Sequence, residues 1–353
     1  MVAVFVLLLS TFGIGQHAGN AGPQQTSTET EVLLDKAQAG NADAQLSLGE
    51  AYENGKVVAQ NDAEALRWYK SAAEQGNGEA QLDVGVFYWL GRGVTQDKQV
   101  AVQWYRKAAK AGNAGGMFNL GVAYYNGEGV NDDPSEALAW FLLAQDKGNK
   151  AAVGAVQRSE GSLKPSEIND AYLSIGQKYE TGREIDQDFS AAAAWYRRGT
   201  DRKDPRAAVK LANLYATGSG TPQDFQQTLH WCEVAANLQY PGGMYCLGRL
   251  ELEGRIGSKN STEAAHWFEK GAWLGDASSC QELGRMYWTG DGVSQDKVSA
   301  YAWTLLASTA IPDAKKDAET YRASMTEKEI KKAEAKVAAY LKTARLNNLR
   351  IHH

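Results

Sequence analysis

One period governs this chain. Trp68, Trp104 and Trp140 lie 36 residues apart, and Trp195, Trp231, Trp267 and Trp303 repeat the same step. Between Trp140 and Trp195 the step is 55, one period plus 19 residues. A second column keeps the same phase: Leu48, Val84, Leu120, Ile175, Leu211, Leu247 and Leu283. The position after it is Gly49, Gly85, Gly121, Gly176, Ala212, Gly248 and Gly284. Tyr52, Tyr88, Tyr124, Tyr179, Tyr215, Glu251 and Tyr287 follow, and then a glycine that never varies, from Gly55 to Gly290. Chance does not align five columns in seven copies. A repeat of this size is one supersecondary unit that buries its apolar face only against its neighbours.

Each copy reads as two helices. Ala44, Leu48 and Tyr52 are spaced four apart and share a face. Gly49 leaves room beside that stripe for a second helix to come close. Gly55 ends the first helix, where a left-handed residue is usually glycine. A loop such as Gly93-Val94-Thr95-Gln96-Asp97 follows, and its Asp is placed to cap the second helix. That helix carries Ala65, Trp68, Tyr69, Ala72 and Ala73, and Gly76-Asn77 closes the unit. The fold class expected is therefore all-α, an α-solenoid of seven helix-turn-helix repeats with fourteen helices. Glycine at 36 of 353 residues and proline at only 7 agree with many helices joined by glycine turns.

The combined pattern, A-x-x-x-L-G-x-x-Y-x-x-G-x-G-V-x-x-D followed by A-x-x-W-Y-x-K-A-A-x-x-G-N, closely resembles the Sel-1-like repeat, a relative of the tetratricopeptide repeat. Residues Ala80 to Asn113 match it at nearly every position. The resemblance implies a right-handed superhelix that acts as an adaptor for other proteins. It also implies an exported bacterial protein of the cell envelope. Departures fall in repeats four to six, where Glu184 replaces a loop glycine, Glu251 and Ile256 break two further columns and Cys232 replaces an aromatic. Less regular packing is expected there.

The expected domain plan follows from these columns. Residues 1–21 read as a signal peptide, because Val2 to Leu9 is an apolar run too short to cross a bilayer and small residues follow it. No Lys or Arg precedes that run. Residues 22–35 read as a flexible lead-in, 36–147 as repeats one to three, and 148–167 as an inserted cap-like element. Repeats four to seven occupy 168–310, and capping helices with a tail occupy 311–353. The insertion and the tail look alike: Ala139-Trp140-Phe141-Leu142-Leu143-Ala144 and Ala302-Trp303-Thr304-Leu305-Leu306-Ala307 precede Pro165 and the Thr326/Glu329 capping-box pair. A bend or break is expected near 148–165. The odd count of cysteines, Cys232, Cys246 and Cys280, is read as three thiols rather than a disulfide framework, with a single pair among them left open.

Nothing in the chain points to catalysis, a cofactor or a metal. No G-x-S-x-G, P-loop or H-E-x-x-H sequence occurs. His230 and His266 share one column, but a zinc site wants three or four ligands. The net charge of −5 argues against nucleic acid, although residues 311–353 are net basic. No later apolar run reaches membrane length. Binding of another protein or peptide segment is the expectation, through first-helix columns that vary between copies. Those columns nominate an apolar-aromatic patch of Val86, Trp89, Val122 and Tyr125, a basic pair Arg249 and Arg285, and Trp288 as partner-binding residues. The alternative is an envelope protein that binds or acts on cell-wall carbohydrate, with sugar rings stacked on Trp89 and Tyr125.

Overall fold

A computed structural model describes residues 23–351, with side chains described for residues 29–343. The signal-peptide expectation for residues 1–21 lies outside the described residues. Eighteen α-helices and no strand are found among the described residues. The seven repeats supply the first and second helices α2 (Ala42–Asn54) and α3 (Asp62–Glu74), α4 (Gly78–Leu90) and α5 (Lys98–Lys110), and α6 (Ala114–Asn126) and α7 (Pro134–Asp146). After the inserted α8 (Lys150–Ser162) come α9 (Pro165–Thr181) and α10 (Phe189–Asp201), α11 (Pro205–Thr217) and α12 (Phe225–Asn237), and α13 (Pro241–Glu253) and α14 (Ser261–Trp273). The last pair is α15 (Ala277–Thr289) and α16 (Lys297–Ala307). Flanking helices are α1 (Pro23–Gln38), α17 (Pro312–Ala323) and α18 (Glu327–Ile351). The chain divides into two compact units after Asp188, in the loop of the fourth repeat.

Caps set the ends of the helices as the columns require. The Oδ1 atoms of Asn41, Asn77 and Asn113 accept backbone N–H groups at first-helix starts, and that of Asn149 does so for the inserted α8. Asn61, Asp97, Asp133, Asp224, Asn260 and Asp296 do the same for second helices. Each such cap satisfies a donor that the helix leaves unpaired.

The two helices of a repeat are joined by a contact between a glycine and a ring. A methyl placed on Gly49 would lie 2.5 Å from Tyr69, on Gly85 2.5 Å from Tyr105, on Gly121 2.5 Å from Phe141 and on Gly248 2.5 Å from Phe268. All four rings are fully buried. Repeat five keeps the same logic in reverse. Ala212 has the methyl, and the opposing residue is Cys232 instead of a ring, both within one core cluster. Cys232 is bonded to Cys246 on α13, with Cα atoms 5.8 Å apart, which corrects the expectation of three thiols. The missing ring vacates the space from which the sulfur reaches the next repeat. Cys280 stays a buried thiol.

Neighbouring repeats are also tied at the loops by pairs whose charges exchange from copy to copy. Arg92, just after the helix-ending glycine of repeat two, bonds Asp62 at 2.7 Å. At the same two positions one repeat later, Glu128 meets Lys98 at 2.8 Å. Later still, the Arg255 guanidinium lies 5.2 Å from the Phe225 ring centre. In the fourth repeat Glu184 occupies the left-handed loop position at φ 70 that glycine fills elsewhere. Its carboxylate accepts from Lys178 at 2.8 Å, while Lys178 also meets Glu136 on α7. Burial disfavours the Lys178 charge, but Glu136 and Glu184 outweigh it and hold its pKa above the usual value.

Three parts of the domain plan are corrected or refined. The lead-in 22–35 is helical from Pro23, because Leu33, Leu34 and Ala37 cover the outer face of α2. The count of helices exceeds fourteen by α1, α8, α17 and α18. The inserted segment is a complete helix with Asn149 as its cap, and both α8 and α9 pack on α7. Eight consecutive residues of α7, Ala137 to Ala144, are buried as a result. At the other end, α16 likewise has α15, α17 and α18 around it, and Thr326 and Glu329 form the capping box. Helices of repeats five and six keep the regular length. Irregularity sits in the turns, where Glu184, Lys203 and Gln239 have positive φ without being glycine.

The glycine–ring contact makes a sharp prediction. Gly85→Ala should lower stability by about 1–3 kcal/mol through overpacking against Tyr105, although alanine is the better helix former by about 1 kcal/mol. Ala212→Gly faces no ring. Thermal unfolding of the two variants checks it, and an unchanged midpoint for Gly85→Ala would show the contact to be slack.

Candidate partner-binding surfaces

The nominated residues separate into two groups. Trp89 is buried, with its ring 6.0 Å from Tyr105 and Lys98 Nζ 5.1 Å from its centre. It lies four residues after Gly85 and so on the face turned to α5, a spacing already readable in the sequence. Val122 is buried too. Trp288 stacks on Tyr321 of α17 with ring centres 4.0 Å apart. These three are core or capping residues, not open contact residues, and the stacked pair of Trp89 and Tyr125 does not form a sugar platform. Val86 is half-buried, and Tyr125 is 36% exposed. Arg249 and Arg285 are exposed, Arg249 bonding Glu253 and Tyr245, and Arg285 lying 3.6 Å from Glu282. The histidines of the shared column, His230 and His266, are exposed and each lies against the tryptophan that follows it.

Charge on the first helices of repeats one and two was not singled out from the sequence. α2 and α4 together carry Asp43, Glu50, Glu53, Glu79 and Asp83 and no lysine or arginine. Glu53 is partly neutralised: it accepts from the Tyr69 hydroxyl at 2.6 Å and pairs with Arg92. Asp83 and Glu50 are not. Burial, then the charges of Glu53, Glu79 and Glu50, push the Asp83 carboxyl well above the usual carboxylate range. Burial, then Glu79 and Glu53, raise Glu50. Tyr69 is raised by its burial and by Asp83. The signal was available as a net charge per helix, which a search by column does not reveal.

With this geometry in place, comparison with known proteins is direct. The Sel1 repeat model matches residues 42–77, 78–113, 114–149, 169–204, 205–240, 241–276 and 277–310, well over half the chain. The chain belongs to the Sel1 repeat family. Sel1 repeat proteins generally mediate protein–protein interaction and are typically non-enzymatic. Among solved structures, the chain is similar to a Sel1 repeat protein from Oxalobacter formigenes, 27% identical, with 85% of this chain and 82% of that one covered and a TM-score of 0.42. It is also similar to a protective antigen of uropathogenic Escherichia coli displaying an SLR fold, 24% identical over 90% of this chain and 87% of that one, TM-score 0.38. No curated protein matches its sequence. No helix among the described residues is long and apolar enough to cross a membrane.

The raised carboxyls fix the sign of a pH effect. A carboxyl whose folded pKa lies above its unfolded value binds its proton more tightly when folded. Its ionised form therefore destabilises the fold at neutral pH, and the loss is relieved as pH falls through the folded pKa toward the unfolded one. Asp83→Asn should raise the unfolding midpoint at pH 7 and flatten its rise on mild acidification. A lower midpoint at pH 7 would contradict this electrostatic account.

Proposed function

We propose that this Sel1 repeat protein is a non-enzymatic adaptor that holds a cationic segment of a partner protein against the first helices of repeats one and two. The observation that carries the reading is the set of carboxylates on α2 and α4, unrelieved by any base on either helix. Like charges kept together at a cost to stability are rationalised by a ligand that neutralises them. Val86 on α4 and Tyr125 on α6, both partly exposed, are the apolar residues that would add contact beside a charged anchor. Within the second compact unit, Arg249 and Arg285 form a separate patch suited to an acidic stretch. Their ties to Glu253 and Glu282 are exposed and easily exchanged.

An envelope setting agrees with two features. The run Val2 to Leu9 has the character of an export signal, and a disulfide such as Cys232–Cys246 persists in oxidising compartments. A role in envelope signalling or assembly follows from that setting together with the adaptor reading.

The test is titration of the full chain with a fluorescent Lys/Arg-rich peptide and its acidic counterpart, followed by polarisation. The basic peptide should bind and weaken with salt. The pair Glu50→Gln and Glu79→Gln, both exposed, should weaken it about tenfold, equivalent to about 1.4 kcal/mol. Equal affinity for the variant, or preference for the acidic peptide, would overturn the reading.

A further inference from the structure

The turns that end second helices follow one rule in repeats one to three. They read Glu74-Gln75-Gly76, Lys110-Ala111-Gly112 and Asp146-Lys147-Gly148, each polar or small and each with a glycine at positive φ. Repeat four keeps the polar turn but puts Lys203 at the glycine position, repeat six keeps the glycine but not the polar turn, and repeat five departs from both. In repeats five and six the same positions hold Asn237-Leu238-Gln239 and Trp273-Leu274-Gly275. Gln239 takes φ 58 where glycine is free to do so, a strained backbone. Tyr240, which follows, replaces the usual Asn or Asp and leaves α13 without a side-chain cap. Three apolar residues are exposed as well: Leu238 at 41%, Trp273 at 49% and Leu274 at 47%.

The departures of repeats five and six converge on one place. A cavity of about 460 Å³ between α12 and α14 is lined by Asn237, Gln239, His266, Trp267, Glu269 and Trp273, among others. The Trp273 indole is held in position, edge-on to Trp303 at 5.7 Å and against Tyr340 of α18 at 5.2 Å. The lining cation, Lys270, already has its Nζ 4.2 Å from the Trp267 ring centre. What remains for a ligand is the exposed Trp273 indole, two neutral amides, an imidazole and one carboxylate, beside the apolar Met244 and Leu274. Indole faces match the C–H faces of a pyranose ring, and amides with a carboxylate match its hydroxyls, which both donate and accept.

We propose that this cavity of repeats five and six is a saccharide-binding site, with Trp273 as the stacking platform and Gln239 and Asn237 as hydroxyl-binding amides. It is separate from the carboxylate face of repeats one and two and does not depend on the adaptor reading. The strain at Gln239 is then the cost of placing an amide where the fold prefers glycine.

The strain supplies the test. Tryptophan fluorescence of the full chain is titrated with maltotriose, cellotriose and chitotriose. At least one should give a saturable change, weakened by about tenfold or more in Trp273→Ala. Gln239→Gly should weaken binding while leaving the unfolding midpoint equal or higher, a combination that a structural role for Gln239 does not produce. Absence of binding to all three sugars, or binding that survives both substitutions, would overturn the proposal. So would occupation of the cavity by a Trp- or Leu-containing peptide that none of the three sugars displaces.

Discussion

The contact on which this structure depends is the burial of a ring over a glycine. In four repeats the second helix approaches so closely that a single methyl on the first helix would meet the ring at 2.5 Å. That proximity positions the pair of helices, and the pair positions the next repeat through Ala72, Ala73, Ala80 and Val84 and their equivalents. Most contacts among the described residues are made within a repeat or to its neighbours, with α18 adding a longer tie where the Tyr340 hydroxyl donates to Ala272 O of α14. Where the ring is lost, in repeat five, a covalent bond from Cys232 to Cys246 joins that repeat to the next.

Because core positions are dictated by packing, function is left to positions that packing does not constrain. Carboxylates accumulate on α2 and α4 with no base on either helix and Arg92 beside Glu53, and the turns of repeats five and six carry strain and exposed indole. Both are local violations of the rule the rest of the chain obeys. Violations that cost stability are the expected mark of selection for something other than stability. The exchanged pairs Arg92–Asp62 and Glu128–Lys98 are a third kind of variation, one that preserves the contact while changing its polarity. Such pairs favour the correct order of neighbours over a slipped one.

The columns made the repeats, their caps and the glycine contact legible before any coordinates. Period and spacing are local properties, and a stack of local units has little else to hide. What the columns concealed was anything that depends on several elements at once. Trp89 looked like a variable surface residue until its place on the Gly85 face was considered. α1 reads as a flexible segment because its sequence is polar and its apolar contacts, through Leu33, Leu34 and Ala37, are few. The bond of Cys232 to Cys246 needed the meeting of two helices, and the carboxylate face needed a sum over residues in different columns.

The central claim is that the second helices are used for packing while the first helices of repeats one and two face a cationic partner. Amide hydrogen exchange on the full chain, with and without a saturating Lys/Arg-rich peptide, tests it most directly. Slowed exchange confined to residues 42–54 and 78–90 is the result this account predicts. Slowing centred on residues 62–74 and 98–110, or none at all, would contradict it.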